Sequence, residues 1–189
     1  MKSLKNIGKT PAGINLTSDE IIEFHAARIL LLIALCGTKS KGSEGHTIEG
    51  LTKLAKLDFF VRYPSFFNKI ADYLKKKNHI DSEEVESKMI RFHYGPWDKR
   101  YYQVLPYLEA RGIIKIEKQD KQFIFSLTNL GEILANQIRD KTEFQGIVSK
   151  MKVVGKTFRK NSGNTLKNLI YEVFKNEVAN KNLEDIINY

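Results

Sequence analysis

The chain of 189 residues holds a single cysteine, Cys36, so no disulfide can form within it, and that usage fits a reducing cytoplasm. It holds four prolines and one tryptophan, with no internal repeat and no low-complexity segment. Long apolar runs are also missing. The longest, Ile21 to Cys36, carries Glu23, His25 and Arg28 and is shorter than the roughly 20 residues that span a bilayer. Its composition predicts a buried central helix with Cys36 packed at its end. The opening residues, Met1 to Gly13, carry lysines but no apolar region, which predicts no secretory signal. Acidic residues are outnumbered 22 to 31 by basic ones, giving a net charge of +9 and a pI of about 9.5. Such a balance points to a polyanion or an acidic surface as partner.

Catalytic and cofactor signatures are absent as well. Gly8-Lys9-Thr10 and Gly155-Lys156-Thr157 invite a phosphate-loop reading, but the earlier glycine that such a loop needs is Ser3 in one case and Lys150 in the other. Neither triplet follows a strand. His25, His46, His79 and His93 have no Cys, His or carboxylate partner at ligand spacing, so no metal is expected. His25 reads as a hydrogen-bonded core residue. There is no Gly-x-Ser-x-Gly and no standout carboxylate pair. The expectation is a protein without catalysis, cofactor or metal.

In chain order, residues 1–16 read as a flexible basic arm. Thr17-Ser18-Asp19-Glu20 reads as a capping box for the central helix. Residues 37–47, rich in Gly, Ser and Lys, read as a loop. Leu51, Leu54 and Leu57 mark a second helix. Pro64 suits the first turn of a third, with Phe66, Phe67, Ile70 and Leu74 on its inner face and Lys75-Lys76-Lys77 at its end. Asp81, Glu83, Glu84 and Glu86 form an acidic stretch that would repel phosphate.

The organising stretch is Met89 to Gly131. Gly95-Pro96 predicts a turn, with Trp97 plugging the core beneath it, and Asp98 can cap the helix that follows. Tyr101, Val104, Leu105, Leu108 and Gly112 fall on the inner face of that helix; Arg100, Gln103, Tyr107 and Arg111 fall on the other. Ile114 and Ile116, then Phe123, Phe125 and Leu127, alternate with polar residues across Lys118 to Lys121, the pattern of a β-hairpin. Thr128 caps the next helix. Helix, hairpin, helix predicts a winged-helix domain over 17–141. The chain is mainly α with a small β-hairpin, an α+β class, and 142–189 is a helical extension packed on that domain. Pro106 sits inside the helix before the hairpin and costs about 3 kcal/mol unless it lies in the first turn, so the helix is expected to kink or start later.

Two groups of side chains are candidates for contact. For nucleic acid they are Lys150, Lys152, Lys156, Arg159 and Lys160, in a 148–162 stretch without an acidic residue; Lys115, Lys118 and Lys121 on the wing; and Lys99 and Arg100 at the preceding helix. For a protein partner they are Tyr102 and Tyr107, together with Phe174, Val178, Leu183 and Ile187. The stripes from Leu166 to Phe174, and a weaker helix near 178–188, look like more apolar face than one small core can cover.

Several motifs are similar to those of one family. These are Leu54-Ala55-Lys56-Leu57-Asp58-Phe59-Phe60 with Arg62-Tyr63-Pro64, Phe92-His93-Tyr94-Gly95-Pro96-Trp97, Leu108-Glu109-Ala110-Arg111-Gly112-Ile113-Ile114, Leu127-Thr128-Asn129-Leu130-Gly131-Glu132 and Leu166-Lys167-Asn168-Leu169-Ile170-Tyr171-Glu172. Over roughly residues 17–175 the chain resembles the middle component of ABC-three-component, Lamassu-type anti-phage defence systems. The Gly-Pro turn also recurs in SocA-like antitoxin domains. The resemblance implies a winged-helix accessory subunit without catalysis, bridging an SMC- or Rad50-like ATPase to a nuclease-type effector or to non-specific double-stranded DNA. A free-standing winged-helix transcription regulator and an antitoxin are the alternatives.

Overall fold

The structure is a computed structural model that describes residues 21–39, 44–81 and 88–188. The basic arm, the capping box at 17–20 and Glu83, Glu84 and Glu86 lie outside the described residues. The chain is mainly helical with small antiparallel sheets. Helix α1 (Ile22–Cys36) is apolar on nearly every side, and it is buried from Arg28 through Ile33. A helix of that kind needs neighbours all round it. α2 (Leu51–Arg62) and α3 (Pro64–Tyr73) follow, and Pro64 opens α3 as expected. α2 is buried from Lys53 to Arg62.

The sheet that reads in sequence as one hairpin has three strands. β4 (Ile114–Gln119) and β5 (Gln122–Leu127) form the hairpin, and β1 (Thr47–Glu49) adds to the far edge of β5. β1 begins within the segment expected to be a loop, and Thr38 bridges to Thr47 ahead of it. In register, Ile48 faces Phe125 and Ile114 faces Leu127, and all four are buried. Phe123 shares their face but lies beyond the core and is 48% exposed. A second hairpin, β2 (Ile90–Phe92) and β3 (Gly95–Trp97), stands where a plain turn is expected from sequence. Trp97 is buried beneath it.

Helix α4 (Tyr101–Ala110) buries Tyr101, Val104, Leu105 and Leu108, the inner face the spacing predicts. Pro106 lies well inside it, not in its first turn. Pro106 and Tyr102, the residue four back, are both exposed, so the missing hydrogen bond falls on the water side. α5 (Asn129–Arg139) begins at Thr128, whose hydroxyl accepts from the Gly131 amide at 3.1 Å. α5 buries Gly131 and Ala135, while Leu130 and Ile133 face outward.

After a short 3₁₀ turn, α6 (Gln145–Phe158) runs unbroken through Gly155. A Cβ there would collide with the Leu35 carbonyl, so glycine lets α6 lie directly on the end of α1. The Cys36 thiol donates to the Met151 carbonyl at 3.3 Å, and burial pushes its pKa up to about 12. Phe60 of α2 stacks on Phe158 at the end of α6 at 4.9 Å, and α7 (Gly163–Val173) then crosses α2 and α3, with Phe174 at its end packing on Phe66 at 4.5 Å.

The expected helix near 178–188 is replaced by a π-helical turn (Lys175–Ala179) and an extended tail. The tail runs beside β2: Arg91 N donates to Asp185 O at 2.8 Å and Ile187 N to Met89 O at 2.9 Å. One hydrophobic core therefore takes in α1 to α4, the sheet, α6, α7 and the tail.

Candidate nucleic-acid interface

Two hollows meet at the turn between α6 and α7. The first, about 660 Å³, is lined by Lys76, Lys152, Lys156, Arg159 and Lys160 with Leu35, Gly155, Thr157 and Asn161. Among the described residues, five cations line it and no carboxylate does. Helical spacing puts Lys152, Lys156 and Lys160 on one side of α6 and its end, and Lys76 reaches the same place from the lysine cluster ending α3. Arg159 is steadied by its donation to the Leu35 carbonyl at 2.7 Å. In sequence Lys76 is only a favourable charge at a helix end; nothing local places it beside α6.

The second hollow, about 410 Å³, lies between the wing tip and the N-termini of α2 and α7. Lys53, Lys121 and Lys167 line it with Tyr94 and Phe123. Gly163 touches the α2 backbone, where a Cβ would stand 2.7 Å from Lys53 N. The Lys53 ammonium donates to the Arg159 carbonyl at 2.9 Å and ties the floor of this hollow to the turn between the two. Burial lowers the Lys53 pKa, partly offset by Glu49.

The remaining candidates divide. Lys150 corrects the expected phosphate set: it is 8% exposed and lines a separate hollow with His79 and Asp81. It sits on the inner side of α6, one residue from the fully buried Met151. Lys99 pairs with Glu184 at 2.7 Å, and Lys115 with Glu117 at 2.9 Å. Lys118 is exposed on the wing but lines neither hollow, whereas Lys121 lines the second.

Arg100 belongs to a buried ionic network instead of a contact face. Its guanidinium holds both Asp98 oxygens at 2.7–3.0 Å and meets His25 Nε2 at 2.9 Å, so His25 is a hydrogen-bonded core residue. Arg62 reaches Asp98 at 2.7 Å, Asp58 at 3.3 Å and the Lys88 carbonyl at 3.0 Å. Asp58 also accepts from Arg28 and, at 2.6 Å, from the Tyr101 hydroxyl. Despite burial, hydrogen bonds from Arg100 and the charge of Arg62 hold Asp98 well below the usual carboxylate range. Asp98 also accepts from the Arg100 amide at 3.0 Å and so orders the turn into α4. The network ties α1, α2 and α4 together, and no local sequence signal announces it.

Among the partner candidates, Phe174, Val178 and Ile187 are fully buried in this chain's own core, which corrects their assignment to an outward face. The C-terminal stripes are consumed by α2, α3 and β2, the elements they pack against. Tyr102 is 59% and Leu183 48% exposed. Lys99, just before Tyr102, pairs with Glu184, just after Leu183, so the two exposed side chains belong to one end of the molecule. Tyr107 is half-buried, donates to Glu23 at 3.2 Å and carries Arg111 over its ring at 3.6 Å.

Comparisons with family models, curated proteins and solved structures give no match to this chain. Among the described residues, no helix is long and apolar enough to cross a membrane.

Proposed function

We propose that the protein is a winged-helix subunit that holds nucleic-acid phosphates without reading sequence, and that it works inside a larger protein complex. The order α1-β1-α2-α4-β4-β5, with sheet order β1-β5-β4, supports the winged-helix reading; α3 and the β2–β3 hairpin are inserted ahead of α4. The observation that carries phosphate contact is the hollow of Lys76, Lys152, Lys156, Arg159 and Lys160, with no carboxylate among the described residues of its lining. A surface of this kind binds by releasing counterions and is indifferent to base sequence.

The outer face of α4 argues against a free-standing regulator. It offers Tyr102, Gln103, Pro106 and Glu109, with exposed Arg111 at its end, while Arg100 is held by Asp98 and Lys99 pairs with Glu184 at the surface. With Arg100 tied to Asp98 and Pro106 interrupting its middle, this face is a poor major-groove reader, and its exposed tyrosine suits a protein surface. Together with the sequence resemblance, this supports an accessory subunit, without catalysis of its own, that connects an SMC-like ATPase to an effector and to DNA.

The test is the triple variant Lys152→Glu, Lys156→Glu, Lys160→Glu, measured by fluorescence anisotropy on two unrelated duplexes over a salt series. Both duplexes should weaken alike, and the slope of log K against log salt should flatten by about 0.9 for each phosphate that the variant no longer neutralises. Unchanged affinity and slope would remove the phosphate reading.

A further inference from the structure

The second hollow has a composition that the first lacks. Tyr94, at the turn of β2–β3, and Phe123, beside the turn of β4–β5, both line it. They are 55% and 48% exposed. Single exposed aromatics are ordinary on protein surfaces. Here two hairpins, remote in sequence, each bring one to the same concavity, and neither ring completes the core. Lys121 enters from the wing, Lys167 from α7 and Lys53 from the first turn of α2, its ammonium held by the Arg159 carbonyl. Among the described residues, Glu49 is the one carboxylate of the lining. Thr52, Gln122, Ser162 and Asn164 supply neutral donors and acceptors. The volume of about 410 Å³ lies within the range of small-ligand sites, about 300–1,000 Å³.

Exposed rings serve as stacking platforms for bases, and lysines between them follow the backbone; this is the chemistry of single-strand recognition. A duplex keeps its base faces stacked inside and has no use for the rings. We infer that this hollow takes an unpaired nucleotide of a single-stranded nucleic acid, its base on Tyr94 and Phe123 and its phosphates against Lys121 and Lys167. The inference deepens the proposed phosphate-binding reading: the strand passes from the α6–α7 turn, which borders both hollows, toward the wing.

The experiment measures the full chain by anisotropy against labelled oligothymidylate of about 12 nucleotides and against a duplex of equal length. Tyr94→Ala with Phe123→Ala should weaken the single strand about tenfold or more and leave the duplex unchanged. Tyr94→Phe with Phe123→Tyr, which keeps both rings, should retain binding, and equal melting of all variants with the parent shows that the fold is intact. Single-strand affinity unchanged in the alanine pair would overturn the inference, as would equal losses for strand and duplex. Thymidine monophosphate bound as tightly as the oligonucleotide would overturn it in favour of a free nucleotide. The Lys152, Lys156 and Lys160 charge reversal reports on the other hollow: if it leaves the duplex untouched, the phosphate reading fails independently of the rings.

Discussion

The Arg28 guanidinium holds both carboxylate oxygens of Asp58, at 3.0 and 2.9 Å, with neither side chain open to water. α1 and α2 are thus joined at their centre by charge as well as by apolar packing. Asp58 also serves Arg62 and Tyr101, so its loss would leave two guanidinium groups and a hydroxyl short of a partner.

Asp58→Asn should therefore destabilise the fold by about 3–5 kcal/mol, the usual cost of breaking a buried pair from one side. Urea unfolding followed by tryptophan fluorescence measures it, since Trp97 packs edge-on to Tyr101 at 5.7 Å. A midpoint equal to the parent's would show that the network adds nothing.

Lys56 predicts an alkaline gain in stability. Its ammonium is buried, donates to the Pro96 carbonyl at 2.8 Å, and burial lowers its pKa to about 7. Above that value the folded state has released a proton that the unfolded state, with an ordinary lysine, still holds. Stability should thus rise from pH 7 to about 9, beyond which Cys36, held protonated to about 12, opposes the gain. In Lys56→Met the rise between pH 7 and 9 should shrink sharply, with Lys53 accounting for what is left, and urea midpoints at the two pH values decide it.

Much of this fold can be read locally, because helices and a tight hairpin write their periodicity into adjacent residues. Pro64 and Thr128 mark helix starts, and the inner face of α4 follows from spacing alone. β1 cannot be read that way. It has three residues at the end of a Gly-rich stretch, and its partner β5 lies 79 residues on at Thr47–Ser126. The ionic network is hidden for the same reason: Asp58 and Arg62 look like ordinary polar positions on α2 until α1 and α4 arrive. Within the candidate site, the Lys152–Lys160 cluster is visible as a run of charge, but Lys76 joins it, and Lys53 and Lys167 meet in the neighbouring hollow, only in three dimensions. Tyr94 and Phe123 resemble residues of a turn and a strand, and only their exposure sets them apart.

The tail predicts a structural defect where the sequence suggests a partner defect. Ile187→Ala should cost about 2–5 kcal/mol, because the side chain is buried and its backbone runs beside β2. Truncation after Lys175 also removes Val178 from the core and should abolish the cooperative melt seen by circular dichroism. A truncated chain that melts like the parent would restore the outward-facing assignment.

Tyr102 and Leu183 should behave in the opposite way. Alanine at both should change stability by no more than about 0.5 kcal/mol each, as for exposed positions generally. If the proposed pairing with a coiled-coil ATPase holds, the double variant should nevertheless fail to co-purify with the co-expressed ATPase in salt high enough to strip DNA. Retention of the complex would place the partner surface elsewhere.

The pairing of residues 184–187 with 89–91, and of 47–49 with 124–126, gives the chain a folding problem that its helical content hides. Both closures span long stretches of the described chain, and contacts so distant in sequence slow folding because loop entropy is given up before they form. Until α6 has been synthesised, α1 has nothing to cover the side on which Met151 and Val154 belong. A nascent chain halted after α5 would leave that side of α1 bare, and such a chain is prone to aggregate or to occupy a chaperone. Yield should therefore depend on chaperone supply during synthesis far more than on the stability of the finished protein.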